Sequence, residues 1–241
     1  MTTLNYSSHV IEDLLYQAKV FPERPRDREA LQQWAEDIRN SVKYQLPENG
    51  QYISKDKPLP VGMRPQRLPF KMISLEIPFP ESRNDDVREQ GLIISTKRHI
   101  LAREVSKIHE DHGFDFNPVE PDGIHIQIVS WIDDGQKWIP SPSAGYLPYD
   151  DQIVFYSEKS SSKREYYMSV IENALPDYFQ QMVGMIGYQQ VMNNGAKDMA
   201  DEVRALIEFL QVLACRNVKQ KEILPSDKLN KRRVKKGHEP F

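Results

Sequence analysis

GIHIQIVSWI, from Gly123 to Ile132, decides the fold. Ile124, Ile126, Ile128 and Ile132 fall on one side of a two-residue alternation, with His125, Gln127, Val129 and Trp131 on the other. That period belongs to a strand with two different faces, not to a helix. Asp134-Gly135 follows, a hairpin signal because glycine accepts the positive φ of a tight turn. KWIP is therefore expected to return antiparallel to it.

Working outward, FKMISLEIPF alternates Ile73, Leu75, Ile77 and Phe79 with Met72, Ser74 and Glu76, and reads as a half-buried strand with Pro78 at an edge. LIISTKRHILAREV reads as one bent strand or two short ones around Ser95 to Arg98. QIVFYSE, Gln152 to Glu158, adds another strand after the Pro-rich SPSAGYLPYDD. The middle of the chain is thus a mainly antiparallel sheet of four to five strands.

Helical periodicity flanks this sheet on both sides. Tyr6, Val10, Leu14 and Ala18 recur four apart in the first segment. In the second, expected from an Asp27 N-cap to about Leu46, the inward face is Leu31, Trp34, Ala35, Ile38 and Val42. The two make a helical hairpin. Gln51 to Leu68, with Pro58, Pro60 and Pro65, reads as an extended connector. After the strands, Tyr166, Tyr167, Val170, Ile171 and Ala174 suit a helix face. A further helix from Pro176 carries Phe179, Met182, Val183, Ile186 and Val191 and is expected to stop at Asn193-Asn194-Gly195. Asp198 is the expected cap of a last helix lined by Met199, Val203, Leu206, Ile207, Leu210, Leu213 and Ala214. The fold class is α+β, with the sheet packed by an N-terminal helical hairpin and C-terminal helices. Residues 1–217 form one domain, or carry a helical subdomain over 1–48, and residues 218–241 form a basic tail.

Composition places the chain in the globular range, with 39% hydrophobic and 28% charged residues over 241 positions. MTTLNYSSHVIEDLLYQ lacks the basic start and apolar run of a signal peptide. No window approaches the length of an apolar membrane span. The single cysteine, Cys215, excludes an internal disulfide and fits a reducing compartment. A cytoplasmic location is expected. The net charge of −3 is unevenly spread: Arg216 to Lys236 holds nine Lys or Arg against Glu222 and Asp227, a net +7 that leaves −10 on the rest. Such asymmetry fits a phosphate backbone or an acidic protein as partner.

Candidate chemistry is sparse. His109, His112 and Asp115 could hold zinc or a redox metal for a hydrolase or nuclease-like enzyme, with His99, Glu104 and His125 joining through the sheet. The plainer reading of HEDHGFD is a solvated loop. No paired carboxylates, serine elbow or phosphate-binding glycine loop points to an enzyme, and no cofactor is expected. Trp131, Trp138, Tyr146 and Tyr149 cluster around the hairpin, as a partner-binding patch or as core between sheet and helices. Lys228, Lys231, Arg232, Arg233, Lys235 and Lys236 put six basic residues in nine, a contact site for nucleic acid or a partner.

The same tail, with Asn217, Pro225, Leu229, Asn230, Lys231, Arg233, Lys236, Gly237 and Pro240, resembles the C-terminal signature of a group of uncharacterised phage and prophage proteins. Leu68 to Phe70 and Ser95 to Ala102 are similar to the same group. Its members continue past Gly-x-x-Pro with an aromatic-bearing strand where this sequence ends at Phe241, so the resemblance raises truncation, or an exposed sheet edge open to a partner. It implies a lineage and no activity. The expectation is a phage-derived accessory protein in the host cytoplasm that binds a host protein or nucleoprotein complex, with homodimerisation a further option.

Overall fold

The computed structural model describes residues 6–46, 65–78, 97–105, 122–132, 136–149, 155–157, 165–167, 170–215 and 227–235. Two helices open the chain, α1 (Tyr6–Val20) and α2 (Pro25–Asn40). Tyr6, Val10, Leu14 and Ala18 of α1 and Leu31, Trp34, Ala35 and Ile38 of α2 are buried as their spacing predicts. The second helix stops short of Val42. Ser41 turns extended (φ −76°, ψ 151°) and its hydroxyl donates to the Ile38 carbonyl at 2.9 Å. Val42–Gln45 then leaves as strand β1, with Val42 exposed at 38% instead of facing a helical core.

Seven strands share the main sheet: β1, β2 (Met72–Pro78), β3 (Lys97–Val105), β4 (Gly123–Ile132), β5 (Lys137–Pro140), β6 (Ser143–Pro148) and β9 (Val170–Asn173). Their order is β1-β2-β3-β4-β6-β9, and β5 also pairs with β4. Only β1 runs parallel to its neighbour. The free edge of β4 is divided, its end facing β5 and its start facing β6. Val129 faces Pro140 and Ile126 faces Gly145, so three steps along β4 match five on the other strand. Two residues are therefore extra, and β5 and β6 are one strand interrupted by a bulge at Ser141-Pro142, where proline cannot donate to the ladder. Within the Pro-rich stretch that the sequence left without a strand, Ser143–Pro148 is a wholly buried strand. The predicted hairpin is present, with Trp131 opposite Trp138 and Gln136 at φ 45°.

A second correction concerns 165–173, expected as helical. It forms β8 (Glu165–Tyr167), paired with β7 (Phe155–Ser157) in a separate two-stranded sheet, and β9, paired with β6. Strand-forming Val170 and Ile171 join the ladder, which the Ala174 N–H extends by donating to the Pro142 carbonyl at 2.9 Å.

The helices after the sheet are α3 (Pro176–Ile186), α4 (Tyr188–Asp198) and α5 (Ala200–Ala214). Gly187, at φ +84°, separates α3 from α4. The chain then runs helical through Asn193-Asn194-Gly195, so that expected stop is not used.

Both sheet faces are covered. Leu101, Val129, Trp138 and Ala144 lie against α1 and α2 in one core. The opposite face presents Ile73, Leu75, Ile77, Ile100, Ala102, Ile124, Ile126 and Leu147, all at most 0% exposed. There α5 makes two visible attachments. Phe209 packs on the Tyr44 ring at 5.0 Å, and Glu202 accepts from Arg98 at 2.7 Å. The result is an α+β fold, mostly antiparallel, between two helical layers. By compactness the chain divides into Met1–Gln211 and Val212–Phe241. The second unit contains a helix of its own, α6 (Asp227–Lys235), within the stretch expected to be a basic tail.

Candidate functional site

The strand β2 was expected to be half-buried, yet its polar side lies beneath α1 and α2 as well: Ser74 is 0% and Glu76 5% exposed. This places a hydroxyl, an imidazole and a carboxylate together. The Ser7 N–H and Oγ both donate to Glu76 Oε1 at 2.8 Å, and Ser7 Oγ lies 3.3 Å from His99 Nε2. The three residue types invite comparison with a hydrolytic triad, but the protons run the wrong way. Activation of serine needs its proton directed at the imidazole, with the carboxylate behind the ring. Here the Ser7 proton goes to Glu76, so His99 Nε2 must donate to Ser7 Oγ and its Nδ1 is left as a buried acceptor without a partner.

The same geometry explains what the group does. Ser7 lies in the first turn of α1, where backbone N–H groups have no helical acceptor, and Glu76 supplies one from the sheet. At the other end of the layer, Lys43 Nζ donates to the carbonyls of Arg39 and Ser41 at 3.2 and 3.0 Å, a cation at the C-terminus of α2. Burial lowers the Lys43 pKa, opposed by the charge of Glu76. Burial, reinforced by the Lys43 charge, lowers His99 to about 3, so its ring is neutral throughout the physiological range. Ser7, Glu76 and His99, each at most 5% exposed, are a buried lock between helices and sheet.

A second arrangement joins two helix N-termini. Pro25 and Pro176 each occupy the first turn of a helix, and an aspartate follows each. The expected N-cap role of Asp27 is not found on its own helix. Its carboxylate instead accepts from the N–H groups of Asp177 and Tyr178 on α3, at 2.8 and 3.1 Å. Asp177 in turn accepts from the Arg26 N–H at 2.9 Å and the Arg26 Nε at 2.6 Å on α2. Each helix caps the other. Burial raises the Asp27 pKa, with the Asp177 charge adding to it against the two backbone donors. For Asp177, desolvation is outweighed by Arg26 and the backbone donors, and the pKa is lowered.

Of the aromatic patch, Trp138, Tyr146 and Tyr149 are buried and Trp131 is half-buried. The patch is core. Trp138 stacks at an angle on Tyr6 and Trp131, at 5.3 and 5.6 Å. The Tyr146 ring lies over Gly123, where a Cβ would come within 2.6 Å of it. Tyr149 donates to Glu104 at 2.8 Å beneath the Arg67 guanidinium, and burial, with that bond second, raises its pKa. Backbone groups of Trp138 are taken by α1: its N–H donates to Asp13 and its carbonyl accepts from Gln17, both at 2.8 Å.

His109, His112 and Asp115 lie outside the described residues. The three residues proposed to join them do not converge. Glu104 is on the face opposite His99 and His125, since it lies five steps, an odd number, from His99 along β3 and is paired with Ile124. Among the described residues no group of three or more His, Cys, Asp or Glu is placed to hold a metal ion, and no helix is long and apolar enough to cross a membrane.

The basic cluster falls on α6. Lys228, Lys231, Arg232, Arg233 and Lys235 lie within its nine residues, and Lys236 follows outside the described set. Lys228, Lys231 and Lys235 are exposed and spaced by three and four, which puts them along one side of the helix. Comparison with protein-family models, with curated proteins and with solved structures returns no match to this chain.

Proposed function

We propose that this is a phage-derived accessory protein that works by binding in the host cell, with α6 engaging the phosphate backbone of a nucleic acid or nucleoprotein complex. The observation that carries this reading is the row of exposed Lys228, Lys231 and Lys235 on a helix that has five basic residues and one acid. Evenly spaced cations on a rigid element release counterions from a polyanion, and the body's net negative charge keeps the contact confined to that helix. The resemblance of Asn217, Pro225 and Leu229 to Pro240 to phage and prophage proteins supplies the biological setting.

The test is fluorescence anisotropy with duplex DNA and RNA across a salt series. Binding should weaken linearly in log–log form. Changing Lys228, Lys231 and Lys235 to Gln should flatten the slope by about 2 to 3, since each neutralised phosphate contributes about 0.9. Affinity and salt slope unchanged in that variant would overturn the assignment of α6.

A further inference from the structure

We propose that the knuckle between α3 and α4 is the docking surface for a second copy of this chain. Met185, Ile186 and Tyr188 are exposed there at 70%, 41% and 58%, the most concentrated group of exposed large apolar side chains among the described residues. Gly184 and Gly187 sit between them with nothing within 4 Å of where a Cβ would lie, so the surface is open to close approach. Phe179 is the one fully buried anchor of α3, and the Tyr188 ring packs edge-on against it at 6.5 Å. The Tyr188 ring is therefore anchored at this surface.

Charge identifies the occupant. From Tyr178 to Ala196, nineteen residues pass without one Asp, Glu, Lys, Arg or His, in a chain that is 28% charged. A nucleic acid would need cations on this surface, and a basic or acidic protein would need a complementary sign. Neither is present. In a two-fold dimer a residue near the axis meets its own copy, so any charge there faces a like charge. An uncharged patch is the surface on which two identical, net acidic bodies meet with least repulsion. The exposed amides Gln189 and Gln190 suit the same geometry. Each carries both donor and acceptor, so it can bond its own copy across the axis.

Sedimentation velocity of the full chain over a dilution series tests this directly. The expected result is a reversible monomer–dimer equilibrium, with the double variant Met185→Glu/Tyr188→Glu raising the dimer dissociation constant about a hundredfold or more, the effect of placing like charges across the axis. Tyr16→Glu, equally exposed but on α1, should leave it unchanged. Oxidative footprinting of Met185 in the unaltered chain gives a second readout, with protection rising as concentration rises. A chain that sediments as monomer throughout, or a dimer indifferent to the double variant with Met185 unprotected, overturns the proposal. Circular dichroism of the variants separates loss of association from loss of fold.

Discussion

His99 shows how one imidazole couples stability to acidity. Its folded pKa is depressed to about 3 by burial and by Lys43, whereas in the unfolded chain it is about 6.5. Between these values the unfolded chain binds the extra proton, so stability is complete above about pH 6.5 and falls as pH drops toward the folded value. From pH 7 to pH 5 this one group is expected to remove about 2 kcal/mol. Urea unfolding at both pH values should show that loss, and His99→Gln, which keeps a donor toward Ser7, should lack it. Equal pH dependence in both proteins would refute the assignment. The sequence marked His99 only as a candidate to join a metal cluster, not as a buried neutral donor. His99 alternates with Arg98 and Ile100 like any polar strand position, and burial of its face follows from where α1 lands, which depends on residues far away in the chain.

Among the elements, α2 and α3 offer the clearest energetic test. Losing a capping carboxylate costs about 1 kcal/mol, so Asp27→Ala and Asp177→Ala are each expected to destabilise by about that amount. Each single change also relieves repulsion between the two carboxylates, which adds to burial in raising the Asp27 pKa. The double variant gains that relief only once, and should therefore cost more than the sum of the singles in a thermal or urea cycle. The same elements show what is readable from a one-dimensional pattern. Tyr6, Val10, Leu14 and Ala18 announced α1, and the isoleucines of β4 announced the sheet, because one periodicity and one buried face determined each. Val42 and residues 165–173 were misread because apolar spacing there fits either period, and pairing with β2 and β6 decided the outcome. The strand Ser143–Pro148 went unread in its Pro-rich stretch because a bulge that resolves Pro142 inside a ladder leaves no sequence mark. The aromatic patch was legible with core as one of its two readings, and the choice between them waited on contacts such as the Tyr146 ring over Gly123 across the strand.

For the whole molecule, the basic helix and the uncharged knuckle make separable contributions to binding. If α6 is the contact site and the knuckle joins two copies, each dimer carries two α6 helices. On a duplex long enough to reach both, the second contact becomes intramolecular, and affinity should exceed that for a short duplex by about a hundredfold. Met185→Glu/Tyr188→Glu should abolish this length dependence while leaving short-duplex affinity intact, a pair of titrations that would fail together if the helices act singly. The lysines of α6 and the charge gap were both visible in the sequence. Their separate roles were not, because exposure of Met185 and Tyr188 is a property of the folded surface. The exchange between Asp27 and Asp177 carries one more consequence, for the order of synthesis. An N-terminal helix draws its caps from a carboxylate encoded 150 residues later, so during synthesis these bonds to the first turn of α2 cannot form until α3 has cleared the exit tunnel. The helical hairpin made first is thereby one of the last parts of the body to be finished.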